Sequence, residues 1–164
     1  MSRYYFDTEF WERSTPTGGS IDLISIGIVS DDNRELYLEC SDFDWGDENI
    51  DPWLEDNVKP HLLKKGVPMA TIREAILSFV GNDPNPEFWA YFASYDWVVF
   101  CWIFGRMIDL PSHFPKFCRD FKQTMDTLGI KRSELPKKPK NAHHALADAK
   151  WLKEAYEKSV DWSN

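Results

Sequence analysis

Asp7 and Glu9 stand one residue apart at the end of the aromatic run Arg3-Tyr4-Tyr5-Phe6. That run has the composition of a strand, on which side chains alternate faces. Both carboxylates therefore project from one side and Thr8 from the other. Two acids crowded on one face repel each other unless a cation lies between them. Oxygen pairs of this kind suit hard divalent ions such as Mg2+ and Mn2+, which makes the pair half of a metal site. Taken alone, the same pattern also fits a strand running out into a polar loop. Two further acids extend the set: Asp96, in Tyr91-Phe92-Ala93-Ser94-Tyr95-Asp96, and Asp148, in His143-His144-Ala145-Leu146-Ala147-Asp148-Ala149. The adjacent His143 and His144 are candidates for moving a proton near neutral pH. On an unbroken helix His144 and Asp148 share a face, whereas His143 lies about 140° away from Asp148. Spacing alone leaves the choice between the two histidines open.

These residues need elements that carry them to one place. Residues 4–8 read as a first strand, and 15–20 as turn chemistry leading into the apolar run 21–29, a strand inside a sheet. Asp31-Asp32-Asn33 is a hairpin turn, and residues 35–40 alternate as a half-buried third strand, giving an antiparallel meander. Residues 41–66 read as loops with a short helix near 52–58. Thr71-Ile72-Arg73-Glu74 has the form of a capping box opening a helix over about 70–80. Beyond the breaker Asn82-Asp83-Pro84-Asn85-Pro86, residues 87–92 form a fourth strand, and the order strand, helix, strand makes it parallel. The apolar stretch from Asp96 predicts a helix to about Met107, with Ser94 or Asp96 as its N-cap. A short extended segment is expected within 109–117, then a helix over 118–128 ending at Gly129. Asn141 would cap a last helix over 142–158. Asp96 then lies just past a parallel strand, where ligands collect in such sheets. The small residues Ala145, Ala147 and Ala149 let the last helix lie close against the sheet. The expected class is α/β, with a central mixed sheet, antiparallel in its first three strands and parallel after them, flanked by helices. Residues 1–164 read as one domain.

Composition narrows the classes. A chain of 164 residues can bury a substantial core, and eight Trp with eleven Phe exclude a disordered protein. No apolar run approaches the ~20 residues that span a bilayer, so no membrane partner is expected. The start Met1-Ser2-Arg3 leads straight into a strand and does not read as a signal peptide. Cys40, Cys101 and Cys118 are odd in number and widely spaced, which fits reduced thiols of a cytoplasmic protein without zinc spacing. The net charge of −8 argues against a long footprint on duplex nucleic acid. Residues 131–140 hold five basic residues and one acid, so Lys137, Lys138 and Lys140 are either phosphate contacts or part of a solvated loop. Trp97, Phe100, Trp102 and Phe104 read as core or subunit interface.

Asp7-Thr8-Glu9, Tyr95-Asp96 and His143-His144-Ala145-Leu146-Ala147-Asp148-Ala149 resemble, in order, the three motifs of the DEDDh 3′–5′ exonucleases of the ribonuclease H-like superfamily. The resemblance spans nearly the whole chain, and 21–29 with its Ile26-Gly27 pair resembles the second strand of that fold. A small stand-alone branch of 3′–5′ exoribonucleases is similar in its Asp-Thr-Glu-Phe start and its Trp-Ala and Tyr-Asp second motif. Phe92 departs from the pattern, since many relatives carry Asn four residues before the second-motif Asp. Any substrate or backbone contact made by that Asn is in question here. The resemblance implies a ribonuclease H-like fold and two Mg2+ or Mn2+ ions held by Asp7, Glu9, Asp96 and Asp148, with His143 as general base. It implies RNA 3′ ends as substrate, single-stranded DNA as the alternative, and nucleoside 5′-monophosphates as product. Thr8, Phe10, Lys138 and Lys140 would touch the bound strand; Phe10 and Trp11 could each stack on or wedge beside the terminal base, with stacking favoured for Phe10 and a core or lid place for Trp11. Small relatives pair, so a homodimer is implied, with the aromatic excess as its interface. The rival functions are hydrolysis of DNA ends or very short oligonucleotides at the same site, and a non-catalytic nucleic-acid-binding module.

Overall fold

The opening aromatic run becomes β1 (Arg3–Thr15), which pairs antiparallel with β2 (Gly18–Ser30), and β2 pairs antiparallel with β3 (Glu35–Glu39). The computed structural model describes residues 2–63 and 65–161. Both long strands run past the expected 4–8 and 21–29. Glu12 to Thr15 lack apolar alternation, yet their backbone pairs with residues 18–21 across the turn at Pro16-Thr17. On its other side β1 pairs in parallel with β4 (Glu87–Ala90), and β4 pairs in parallel with β5 (Arg119–Asp120). The sheet order β3-β2-β1-β4-β5 is the expected mixed arrangement.

Among the described residues five α-helices accompany the sheet: α1 (Pro52–Asn57), α2 (Met69–Val80), α3 (Ser94–Phe104), α4 (Phe121–Leu128) and α5 (Ala145–Asp161). Their ends differ from expectation where distant residues supply the cap. Thr71 lies inside α2 and not at its cap; Pro68 precedes the helix, and the Met69 N–H donates to Asp42 Oδ2 at 2.9 Å. Neither Ser94 nor Asp96 caps α3, since Ala93 holds that place and its own N–H donates to Asp120 Oδ2 at 3.1 Å. That helix closes at Gly105, short of Met107, which begins a separate 3-10 turn over Met107–Asp109, and the short extended segment expected within 109–117 comes later, as β5. Asn141 does not cap the last helix, which starts later, at Ala145. The three cysteines are free thiols, as expected. Among the described residues no helix is long and apolar enough to cross a membrane.

Alternation along β1 divides the core into two layers. Tyr4 and Phe6 pack with Ile72 and Ile76 of α2 and with Val99, Phe100 and Ile103 of α3. Tyr5 faces the opposite way, against Phe121 and Met125 of α4 and Trp151, Leu152 and Ala155 of α5. By the same parity Asp7 and Glu9 belong to the α5 layer and Thr8 to the α3 layer. The pairing of β4 with β1 stops at Tyr5↔Trp89. Beyond Tyr5 the β4 side of β1 is uncovered, and side chains from the two layers can meet there.

How close α5 comes is fixed by Gly27, the β2 partner of Asp7. A Cβ at Gly27 would collide with the backbone of Ala145 and Leu146, so glycine is required for main chain to lie on main chain. Ala145 and Ala149, both fully buried, continue that close approach. Gly27→Ala is expected to push α5 off the sheet at a cost of about 1–3 kcal/mol, the usual range for overpacking. A thermal melt should show a loss of roughly 2–4 °C per kcal/mol. An unchanged melting temperature would mean that the helix is not held at this contact.

Candidate active site

Asp7, Thr8, Glu9 and Phe10 of β1, Asp96 of α3, Lys138 of the basic loop, and His143 and Asp148 at the head of α5 line one open cavity of about 360 Å3. A larger groove of about 440 Å3, between Trp11 and Trp102, contains none of the four motif acids or His143. The pairing register of β1 shifts between Glu9 and Phe10, a bulge that turns the strand immediately after its second acid. Asp7, Glu9 and Asp148 place ligand atoms all within 4.8 Å of one another and could hold a metal ion. Asp96 approaches from the other layer and is tied to the strand by Thr8. Its Oδ1 accepts the Thr8 N–H at 2.9 Å and the Thr8 hydroxyl at 2.6 Å. Thr8 is thus engaged as a bracket for Asp96 while also lining the cavity.

The late start of α5 separates the two histidines. His143 lies outside the helix with φ 70°, a left-handed conformation that non-glycine residues rarely adopt. What holds it there is Asp148, whose Oδ2 accepts the His143 N–H at 2.8 Å while the Asp148 N–H donates to the His144 carbonyl at 3.0 Å. The angular objection to His143 applies only on a continuous helix, and there is none. The His143 side chain is exposed at the cavity and meets the Trp53 ring edge-on, 4.9 Å between centroids. His144 instead stacks on Tyr37 at 4.3 Å, half-buried, and burial lowers its pKa.

Burial and nearby negative charge move Asp7, Glu9 and Asp96 in one direction. Burial, followed by Asp96, Glu9 and Asp148, holds the Asp7 carboxyl well above the usual carboxylate range. Burial, then Asp148 and Asp96, pushes Glu9 up to about 8. Burial also pushes Asp96 up to about 6, although the Thr8 hydrogen bonds pull the other way. The Lys138 ammonium partly offsets the shift at Asp7 and Glu9. An all-oxygen, closely spaced donor set that resists ionisation without a counter-charge fits a hard divalent cation.

A pH dependence follows. Between its ordinary 4.5 and about 8, Glu9 keeps a proton in the folded chain that the unfolded chain has released. Folding takes up protons in that window, so stability falls as pH rises through it. The metal-free protein is expected to melt lower at pH 8 than at pH 5.5. Glu9→Gln should shrink that difference and stabilise the protein at pH 8 by roughly 1–2 kcal/mol, the scale on which relief of active-site strain is felt. Paired melts at both pH values test this, and a variant less stable than wild type at pH 8 would contradict it.

Among the remaining expected contacts, Phe10 lines the cavity and meets the Tyr95 ring edge-on at 6.0 Å. Trp11 is buried against Phe43, as expected for a core residue. Lys138 forms an ion pair with Asp148 Oδ1. Lys140 is exposed two residues further on and does not line the cavity. Phe92 has φ 58° and is 59% exposed, so its ring does not take up an interior polar position. Sequence reasoning passed over Trp53, which sits in a short polar helix about 90 residues from His143. The only local signal there was an aromatic on an exposed helix face.

Comparison with known proteins adds to this geometry. The model of a family described as "3'-5' exoribonuclease Rv2179c-like domain" matches residues 2–160. Two Mycobacterium tuberculosis proteins named 3′-5′ exoribonuclease, Rv2179c of strain H37Rv and MT2234.1 of strain CDC 1551, are each 36% identical over 155 residues, covering 90% of this chain and 87% of theirs. Escherichia coli exonuclease I superposes with a TM-score of 0.66 in a zinc-bound complex with single-stranded DNA, at 16% identity and over 96% of this chain. Its complex with a dT13 oligonucleotide gives 0.63 at 16% identity over 98% of this chain. This chain spans 40% and 43% of those two chains, and the likeness is one of fold, ribonuclease H-like as expected.

Proposed function

The chain belongs to the Rv2179c-like 3′-5′ exoribonuclease family, and on that premise we propose that it shortens RNA from the 3′ end, releasing nucleoside 5′-monophosphates with the help of two Mg2+ or Mn2+ ions. The observation that carries this reading is the convergence of Asp7, Glu9, Asp96, His143 and Asp148 on one cavity from separate parts of the chain. Asp7, Glu9 and Asp148 would hold one ion, and Asp96 would serve a second through the oxygen not bound by Thr8. Bound there, the ions lower the pKa of the attacking water and neutralise charge on the entering and leaving oxygens. His143 takes the water's proton as general base, and its exposed place ahead of α5 leaves the ring open to solvent and substrate. Phe10 stacks on the terminal base beside Tyr95, while Lys138 and Lys140 meet phosphates of the strand. Thr8 keeps Asp96 in position. The Glu9 carboxylate, or the backbone just after it, accepts or donates a hydrogen bond at the 2′-OH, which favours RNA.

A pure binding module has no use for four acids set against phosphates, which disfavours that alternative. The free thiols fit the cytoplasm, and the exposed Trp102, Ile108 and Phe117 offer apolar area for a homodimer. Incubating 5′-labelled RNA and DNA oligomers of one sequence with Mn2+ tests the proposal. The RNA should give a ladder shortening from its 3′ end, about tenfold faster than the DNA if one charge-assisted hydrogen bond reads the 2′-OH. Faster loss of the DNA would overturn the RNA preference, and no ladder from either would overturn the nuclease reading.

A further inference from the structure

Among the described residues lining the cavity, Lys138 brings the one ammonium group, and it is set directly against an acid of the cluster. Its Nζ pairs with Asp148 Oδ1, with a third of the lysine side chain and 7% of the aspartate side chain exposed. The other oxygen of Asp148 is already engaged, because Oδ2 accepts the His143 N–H at 2.8 Å. An ion drawn to Asp7, Glu9 and Asp148 therefore finds Oδ1 held by a cation and Oδ2 with one lone pair already given to His143, and the competing charge is that of Lys138. The three acids' ligand atoms lie within 4.8 Å of one another, so an ion among them would be a close neighbour of the ammonium and strongly repelled by it.

The same ammonium already lies against aromatic faces while it pairs with Asp148: its Nζ is 4.2 Å from the centroid of the Trp151 ring and 5.9 Å from that of Tyr91. The loop that carries it is fastened independently, through the Trp151 indole N–H donating to the Pro136 carbonyl at 3.0 Å. A change of side-chain rotamer is then enough to draw the ammonium off the carboxylate while the aromatic rings continue to hold it, with the loop staying in place.

We propose that Lys138 is a tethered competitor of the divalent ion at Asp148: it neutralises the acids in the metal-free protein, yields Oδ1 when an ion binds, and so sets the metal concentration at which the enzyme loads. This rests on the cavity being the metal centre, and the test separates the two claims. Mn2+ is titrated calorimetrically, without nucleic acid, into metal-free wild type, Lys138→Met, Lys138→Arg and Asp7→Asn. Methionine keeps an apolar stem against Trp151 while removing the charge, and thermal melts of each variant verify the fold.

Lys138→Met is expected to bind Mn2+ at least about tenfold more tightly than wild type, the equivalent of ~1.4 kcal/mol. Lys138→Arg, which keeps the charge, should stay nearer to wild type than to the Met variant. Lys138→Met binding no more tightly than wild type, with Asp7→Asn binding lost, overturns the role of Lys138 alone. Binding in Asp7→Asn equal to that in wild type places the ion elsewhere and overturns both claims.

Discussion

Asp7→Asn is expected to slow 3′-end shortening of RNA by at least about a thousandfold, ~4 kcal/mol of transition-state stabilisation, and to leave the protein folded. Asp96, Glu9 and Asp148 all act on the Asp7 carboxyl together. A divalent ion drawn to this cluster gains its charge balance at Asp7, and an amide of the same shape cannot supply it. The fold has no need of that charge. Asp7 is held by strand pairing with Gly27, and removing one of four crowded acids relieves repulsion. The melting temperature of the metal-free variant should stay level or rise. Single-turnover assays on 5′-labelled RNA at saturating Mn2+ give the rate, and a thermal melt gives the stability. A variant working within about tenfold of wild type would take Asp7 out of the mechanism.

The second large effect discriminates between neighbours. His143→Ala should lower turnover by about 10^2–10^4-fold, the usual contribution of a positioned general base. His144→Ala should cost less than about tenfold in rate but about 1 kcal/mol in stability, because it removes a stacked pair with Tyr37. The two histidines are thus expected to fail in different assays, one in the rate and the other in the melt. The opposite order of rate losses would transfer the role to His144 and would leave the backbone bond between His143 and Asp148 without a catalytic purpose.

What could be read from the chain beforehand was whatever depends on local periodicity. Alternation put Asp7 and Glu9 on one side of a strand and Thr8 on the other; the two acids meet Asp148 of α5, while the Thr8 hydroxyl meets Asp96 of α3. Gly129 ended α4 in the left-handed conformation expected of a helix stop. The failures occurred where a distant partner decides. Nothing near Thr71 signals that Asp42 receives the first amide of α2, and nothing near Asn141 signals that the helix waits until Ala145. The delay comes from Asp148 reaching back to the His143 amide, a contact visible only once the turn is folded. Polar strand ends such as Glu12 to Thr15 were missed because a hairpin arm outside the core needs no apolar pattern to pair. The motif residues were legible as a set through resemblance. Their meeting place follows from the shortness of β4, which a propensity reading overextended to residue 92.

The seat of α5 on Gly27 also bears on how such a site can change over time. With no side chain between the two backbones, the span from β2 to the first turn of α5 is a property of the main chain alone. Lining residues outside the acid cluster, Phe10 and Ala142 among them, can then be exchanged to suit new strands or new ends without disturbing that span. Drift in substrate preference and retention of the chemistry are mechanically decoupled, and a single glycine is where that decoupling is anchored.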